Sequence, residues 1–180
     1  MNKRKSLFAD ELITEMKDKK FSAVSISDIC NTMSCSRQSF YYYYDTLDNC
    51  LEYYVKESFK NQIKEDYLIS DLFNYFDVNA DFVRICNSDP ASKKIFWECL
   101  SDYLEKILDF VFSKNIVEYL ALYAEQKSAL ISFYVSGILF EVKQYVYNNH
   151  IPTKEKCISY CKAVIGTADD MRNTVIRFNR

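Results

Sequence analysis

Hydrophobic residues recur with helical spacing along almost the whole chain. Near the N-terminus, Phe8, Leu12 and Met16 follow one another every four residues and form one apolar stripe. Three lysines close this segment, at the end where a helix dipole favours positive charge. The pattern predicts a first helix over roughly residues 4–18.

Two short helices are predicted next. Ser25 stands three residues before Asp28 in the arrangement of a capping box, and an apolar stripe begins directly after it. Ser34-Cys35-Ser36 interrupts that stripe, and Ser36 can cap a third helix that runs to about Tyr43. Two short helices joined by a three-residue turn form the outline of a helix-turn-helix.

The helices predicted beyond Asp45 are longer. Pro90 suits the first position of a helix, where no backbone N–H is needed, and a second break falls at 148–152. The periodicity predicts helices over about 46–66, 69–87, 91–112, 127–149 and 154–167. With about nine helices and no convincing strand, the predicted fold class is all-α.

Composition narrows the classes of function. The chain has 180 residues but two glycines and two prolines, too few for a glycine-rich phosphate loop, a dinucleotide fingerprint or a turn-rich β architecture. No stretch approaches the roughly 18 uninterrupted apolar residues of a membrane span. The seven cysteines are irregularly spaced, and no apolar leader follows Met1. We therefore expect reduced thiols and a cytoplasmic protein.

Candidate catalytic and metal-ligating groups are few. His150 is the single histidine, and no nucleophile motif surrounds it, which disfavours a Ser-His-Asp or Cys-His constellation. Cys157 and Cys161 lie one helical turn apart, but neither a second pair nor a histidine accompanies them, so buried thiols are favoured over a metal or redox site. We expect no enzyme, no metal and no cofactor.

Charge is divided unevenly along the chain. Residues 1–44 contain seven Lys or Arg and five Asp or Glu, a net charge of +2, whereas the total of −2 leaves −4 for residues 45–180. A mildly basic N-terminal segment is compatible with a polyanionic partner such as DNA, although the signal is weak by itself.

The run from Ser25 to Tyr44 resembles the DNA-binding domain of the tetracycline-repressor (TetR) family of bacterial transcription regulators. It reads SISDICNTMSCSRQSFYYYY, against a family pattern close to T-S/T-I-x-D-I-A-x-x-A-G-V-S-R-x-T-F-Y-Y-H/Y-F. The match covers about 45 residues at the N-terminus. The resemblance implies a DNA-binding domain over residues 1–45 and a helical domain for effector binding and dimerisation over 46–180.

The third helix carries the predicted DNA contacts. Phe40 and Tyr44 are spaced to point into a core, which leaves the residues between them on the outer surface. Arginine and glutamine side chains contact guanine and adenine in the major groove, while hydroxyls and lysines suit phosphate oxygens. The predicted DNA-binding residues are Ser25, Ser36, Arg37, Gln38, Ser39, Tyr41, Tyr42 and Tyr43, together with Lys3, Arg4 and Lys5 ahead of the first helix.

Three positions depart from the family pattern. Ser34 replaces the usual turn glycine and requires an unusual backbone conformation or a different turn. Cys30 replaces a small residue on the second helix and is still small enough to pack. Leu47, flanked by Asp45 and Asp48, replaces a lysine that commonly binds a phosphate, which predicts weakened DNA binding.

The resemblance also implies an effector pocket and a dimer interface in the second domain. Aromatic residues that we assign to the pocket are Tyr67, Phe76, Phe96, Trp97, Tyr103, Tyr123 and Phe133, although most aromatics of a helical bundle are core. The family pairs its last two helices with those of a second copy, and the residues assigned to that interface are Tyr134, Gly137, Ile138, Val142, Tyr145, Cys157 and Cys161. The alternative is that these faces are buried within one chain.

These expectations combine into one function and one rival. The expected function is that of a homodimeric regulator of the repressor type, which binds a palindromic operator and is controlled by a ligand or partner on the second domain. The rival is a TetR-like protein-interaction module with weak DNA binding, which Asp45 and Leu47 favour.

Overall fold

The computed structural model describes residues 3–115, 124–148 and 150–163, and all regular structure within these ranges is helical. Two single-turn 3₁₀ helices, Phe21–Ala23 and Glu65–Tyr67, accompany nine α-helices. The α-helices are α1 (Lys3–Asp18), α2 (Ile26–Thr32), α3 (Arg37–Tyr41), α4 (Leu47–Gln62), α5 (Leu68–Val78), α6 (Ala80–Asn87), α7 (Pro90–Asn115), α8 (Ala124–Tyr147) and α9 (154–163). The all-α prediction is confirmed for this part of the chain.

One predicted helix is wrong. The segment 69–87 forms two helices, because the backbone leaves helical geometry at Asn79, where φ is −107° and ψ is 26°. The Asn79 carbonyl accepts the first hydrogen bond of α6 from Val83, and its side-chain amide donates to Gln62. The apolar spacing continues across this break, which is why periodicity alone did not find it.

The helices fall into two compact units. The first comprises residues 1–62 and 77–103, and the second comprises 63–76 and the chain from 104 onward. The predicted domain boundary at residue 45 does not coincide with this division, because α1 packs against α4 and α6 as well as α2. The three N-terminal helices are therefore part of a larger helical unit.

Aromatic packing organises the core of the first unit. Phe8 of α1 and Phe40 of α3 are fully buried, with ring centroids 5.5 Å apart in an edge-to-face arrangement. Tyr44 is buried beside Phe40, and its hydroxyl donates a 2.9 Å hydrogen bond to the Lys5 carbonyl. Burial of each such side chain contributes about 1.5–3 kcal/mol. The predicted inward orientation of Phe40 and Tyr44 is confirmed.

A buried carboxylate joins the first 3₁₀ turn to the start of α7. Asp89 accepts hydrogen bonds from the backbone N–H and the hydroxyl of Ser22 and, through its other oxygen, from the N–H of Ala91. The hydroxyl of Ser92 donates to the carbonyls of Asp89 and Cys86. Asp89 thus caps α7 and holds a distant loop at the same point.

The second unit buries most of the residues that we assigned to a dimer interface. Tyr134, Ile138, Val142 and Tyr145 of α8 are at most 4% exposed, and the Tyr145 ring packs edge-on against Phe73 of α5 at 5.4 Å. Cys157 and Cys161 of α9 are buried as well. These six residues belong to the core of the unit, so their assignment to a surface was wrong.

The opposite side of α8 is exposed instead. Of the predicted interface, only Gly137 lies there, and nothing approaches within 4 Å of the position of an added Cβ. The exposed apolar side chains that share the face of Gly137 are Leu130, Phe133, Phe140 and Tyr147.

No described helix is both long and apolar enough to cross a membrane.

The Asp89 connection predicts a stability loss with a defined pH dependence. Asp89→Ala should lower the free energy of unfolding by about 2–3 kcal/mol at pH 7, because it removes a helix cap and two bonds to a charged acceptor. Hydrogen bonding from Ser22 is the largest cause of a lowered pKa of Asp89. The contribution is therefore complete above the ordinary pKa of 3.8 and is lost as the pH falls further.

Urea unfolding of the wild type and Asp89→Ala from pH 7 into the acid range measures this difference. Asp81→Ala is the control, because Asp81 is exposed and its ion pair with Arg84 contributes little. A stability gap that stays constant from pH 7 to below pH 3.8 would contradict the assignment.

Candidate nucleic-acid interface

The start of α2 is fixed by a reciprocal pair of hydrogen bonds. The Ser25 hydroxyl accepts from the N–H of Asp28, whose carboxylate accepts from the N–H of Ser25. Lys19 also contacts this carboxylate at 2.9 Å and, as the largest cause, lowers the pKa of Asp28 to about 2. The predicted capping box is confirmed, and the structure gives Ser25 a helix-capping position.

A tight turn with left-handed backbone joins α2 to α3. Ser34 has a φ of 49°, the Cys35 N–H bonds the Cys30 carbonyl at 2.9 Å, and the Ser34 N–H bonds the Asn31 carbonyl at 3.1 Å. These two bonds define a Schellman motif, in which glycine is the favoured residue at the left-handed position. The prediction that Ser34 takes an unusual conformation is confirmed.

The short helix α3 presents a polar surface. Ser36 caps it by accepting a hydrogen bond from the N–H of Ser39. Arg37, Gln38 and the two tyrosines Tyr41 and Tyr42 are exposed, as predicted, while Phe40 between them is buried. Tyr42 is 79% exposed, and its ring packs edge-on against that of Tyr43.

A groove of about 340 Å³ runs beside the start of α3. The hydroxyl, amide and guanidinium groups around it are hydrogen-bond donors of the kind that bind phosphate oxygens. The Tyr42 and Tyr43 rings form part of its wall, with centroids 4.8 Å apart. The residues that line the groove are Arg4, Ser36, Gln38, Ser39, Tyr42 and Tyr43, and all six are predicted DNA-binding residues.

Arg37 has a partner that the sequence did not indicate. Its guanidinium donates a hydrogen bond to the hydroxyl of Ser27, in the first turn of α2. The bond links the side chain of Arg37 in α3 to α2. The only sequence signal for Ser27 was its place near the N-terminus of a predicted helix.

The basic N-terminal residues differ from the prediction. Lys3, Arg4 and Lys5 form the first turn of α1 instead of preceding it. Lys3 and Arg4 are exposed, but the Lys5 ammonium lies over the rings of Tyr44 and Tyr53, 5.1 and 4.5 Å from their centroids. This cation–π contact directs Lys5 toward the protein.

The start of α4 is capped by a residue that the sequence analysis did not single out. The Thr46 hydroxyl accepts a hydrogen bond from the N–H of Asn49 at 3.1 Å. Leu47 is half-buried, and Asp45 and Asp48 are exposed beside it. The surface where the family pattern has a phosphate-binding lysine therefore carries negative charge here.

The predicted pocket residues do not line the described grooves. Phe96 and Trp97 are buried in the first unit, where Phe96 packs against Phe59 and the Trp97 indole N–H donates to Asn87. Tyr103 is half-buried beside Phe59. In the second unit Phe76 is buried, Tyr67 and Phe133 are exposed, and Tyr123 lies outside the described residues.

Two further grooves have mainly polar and charged residues in their walls. One, of about 270 Å³, lies between α1 and α4 and includes Asp10, Tyr53 and Tyr54 in its walls. The other, of about 400 Å³, lies between α7 and α8 in the second unit, where Lys127 and Asp109 form an ion pair at 2.5 Å. Within the described residues, no group of three His, Cys, Asp or Glu side chains could hold a metal ion.

Comparison with known proteins adds no family. A scan against protein-family models and a search of curated proteins both gave no match. The function is therefore inferred from the residues and their geometry.

The turn between α2 and α3 predicts a stabilising substitution. Ser34→Gly should raise the free energy of unfolding by about 0.5–1 kcal/mol, because glycine adopts the left-handed conformation without the strain that a Cβ causes. Thermal or urea unfolding measures the change. Ser88→Gly is the matched control and should be destabilising, since Ser88 has a φ of −77° and its hydroxyl bonds Ile85. A destabilised Ser34→Gly variant would show that the turn is not strained.

Proposed function

We propose that the chain is a sequence-specific DNA-binding transcription regulator of the TetR type, with α2 and α3 as a helix-turn-helix. The observation that carries the proposal is the polar surface of α3, with Arg37, Gln38 and Tyr42 outward and Phe40 buried behind them. An α-helix fits the major groove, and a helix held from behind by its own buried residue presents its outer side chains in a fixed orientation.

Base and phosphate contacts come from different parts of this surface. Arg37 and Gln38, at the start of α3, are placed to contact base edges, and the bond to Ser27 positions the arginine. The groove lined by Arg4, Ser36 and Tyr43 accepts a backbone phosphate. Phosphate contacts fix the register of α3 in the groove, and base contacts supply the specificity.

The regulator acts as a homodimer on a palindromic operator. Support comes from the exposed side of α8, where Leu130, Phe133, Gly137 and Phe140 follow the alternating three- and four-residue spacing of a helix-pairing seam and Tyr147 lies one heptad beyond Phe140. Phe133 and Phe140 are 67% and 59% exposed. A second copy would cover this stripe, and a palindromic operator presents its two half-sites to two α3 helices in successive major grooves roughly 34–36 Å apart.

Control of DNA binding is proposed to come from a ligand or protein partner on the C-terminal helices. The groove between α7 and α8 is a candidate binding surface, with lysine, aspartate and serine groups that suit a polar molecule. Such an effector changes DNA affinity only as far as it binds the two states of the dimer with different affinities. Repression that a ligand relieves is the commoner behaviour in the resembled family.

A second candidate function is a protein-interaction module. It is favoured by the exposed Asp45 and Asp48 beside Leu47, which place negative charge where a phosphate contact is usual in the resembled family. In this case the exposed tyrosines of α3 would contact a protein surface. The two functions differ in the salt dependence of DNA binding.

The DNA-binding proposal is tested by selecting duplexes from a random library with the purified full chain at low salt. We expect a palindromic sequence to be enriched. Arg37→Ala should lower the affinity for it by about 1–3 kcal/mol and relax the preference at one base pair, because one bidentate contact is lost. Tyr42→Ala should weaken binding to all sequences to a similar degree.

Arg84→Ala is the control for charge, because it removes one exposed positive charge from α6, which carries none of the predicted DNA-binding residues. It should bind DNA like the wild type in fluorescence anisotropy. If no sequence is enriched at low salt, the DNA-binding proposal is wrong and the interaction-module candidate takes its place.

The dimer proposal is tested by sedimentation of Phe133→Glu and Phe140→Glu. Each substitution should weaken dimerisation by about 3 kcal/mol or more, because both protomers lose a side chain whose burial is worth about 1.5–3 kcal/mol. Val78→Glu is the matched control, since Val78 is 77% exposed outside α8 and should not matter. Unchanged dimerisation in both α8 variants would exclude this face.

A further inference from the structure

Two cysteines lie side by side across the turn between α2 and α3. In a Schellman motif, one hydrogen bond joins the N–H of a residue to the carbonyl of the residue five positions before it. The side chains of these two residues are frequently in contact as well, usually through apolar groups. Here those residues are Cys30 and Cys35, joined by the 2.9 Å bond from the Cys35 N–H to the Cys30 carbonyl. Both side chains of the contact are thiols.

The backbone hydrogen bond keeps the two Cα atoms within the separation that a disulfide allows. The path from one Cα through the carbonyl, the hydrogen bond and the amide nitrogen to the other Cα limits their separation to about 6.8 Å. Disulfides join residues whose Cα atoms are roughly 4.4–6.8 Å apart. Contact with the Cys35 thiol, after burial, is also a cause of the raised pKa of Cys30.

Access to solvent distinguishes Cys35 from the other thiols. All seven cysteines lie in the described part of the chain, and Cys35 is the one that is not buried. Cys30 is 2% exposed, and its thiol also contacts the carbonyl of Ser36 at 3.6 Å. Burial raises the pKa of Cys50 to about 12 and that of Cys99 to about 11, so these thiols, like Cys30, are not the site of first attack on a peroxide.

We propose that Cys30 and Cys35 form an oxidation site that closes to an intramolecular disulfide with a peroxide as oxidant. The Cys35 thiol loses its proton, the thiolate attacks hydrogen peroxide and the O–O bond breaks; the hydroxide that leaves takes up that proton, so Cys35 sulfenic acid and one water are formed. The Cys30 sulfur then attacks the sulfenic sulfur, the S–O bond breaks, and the thiol proton leaves with the hydroxide as a second water. Two thiols lose two electrons, and one peroxide is reduced to two waters.

Closure would act on α3 directly, and this part of the inference rests on the proposed function. Ser36, the cap of α3, and Arg37 follow Cys35 without a spacer. Bringing the sulfurs to the bonding distance of about 2.05 Å draws the turn toward α2 and displaces the start of α3. We expect DNA affinity to fall about tenfold or more, since a bidentate base contact is worth about that factor.

The disulfide itself is tested on the full chain by mass spectrometry. The reduced protein is treated with hydrogen peroxide, alkylated without reduction and digested with trypsin. Cleavage after Lys20 and Arg37 gives a peptide, 21–37, whose only cysteines are Cys30 and Cys35. We expect this peptide to be lighter by two hydrogen atoms and to resist alkylation until it is reduced.

Three variants separate this site from general thiol oxidation. Cys30→Ala and Cys35→Ser should each prevent the internal disulfide, while Cys99→Ser, in the core of the same unit, should oxidise at 21–37 like the wild type. A peptide 21–37 that remains alkylatable at both cysteines would falsify the proposal. A sulfinic acid at Cys35, or a disulfide between chains, would overturn it equally.

The DNA measurement is read separately from the mass measurement. With the selected duplex, oxidised wild type should bind about tenfold more weakly than reduced protein, and a reductant should restore binding. Oxidised Cys30→Ala should keep its affinity. If the disulfide forms but the DNA affinity does not change, only the proposed effect of oxidation on DNA binding is wrong. If the reduced protein binds no duplex, the proposed function is wrong and the disulfide result is unaffected.

Discussion

The burial of Phe40 against Phe8 is the contact on which the candidate interface depends. A five-residue helix such as α3 has no stability of its own, because helix nucleation is costly and so few residues add little in return. Its position is held by one fully buried side chain, by the Ser36 cap and by the turn before it. Everything proposed for Arg37 and Gln38 follows from that anchoring, since their outward direction is fixed by the inward direction of Phe40.

The same turn concentrates several constraints in few residues. Ser34 takes a conformation that costs a residue with a Cβ about 1–2 kcal/mol, and the hydrogen bonds of the Schellman motif offset that cost. The motif also brings the two thiols into contact. The turn directly precedes α3. A chemical change at the two thiols, such as the proposed disulfide, would therefore displace the start of α3 and with it the proposed DNA-binding surface.

Helix α8 has apolar side chains both on its buried side and on its exposed side. Ile138 and Val142 pack into the second unit, while Phe133 and Phe140 on the other side have no cover within the described chain. The sequence shows a broad apolar face but not which half of it a neighbour in the same chain occupies. The sequence analysis assigned the residues that are buried to the dimer interface and the exposed Phe133 to a pocket. It could not separate them, because the residues on both sides of α8 are apolar and recur with helical spacing.

The sequence by itself determined the helical class, most helix bounds, the caps at Ser25 and Ser36 and the outward side of α3. These features depend on local hydrogen bonds and on periodicity, and both involve residues that are close together in the sequence. Only the tertiary structure decided the break at Asn79, the packing of Lys5 on Tyr44 and Tyr53, and the burial of the two thiols of α9. Those outcomes depend on which segments, far apart in the sequence, pack against each other. The type of an apolar or basic residue does not show which residue it will contact.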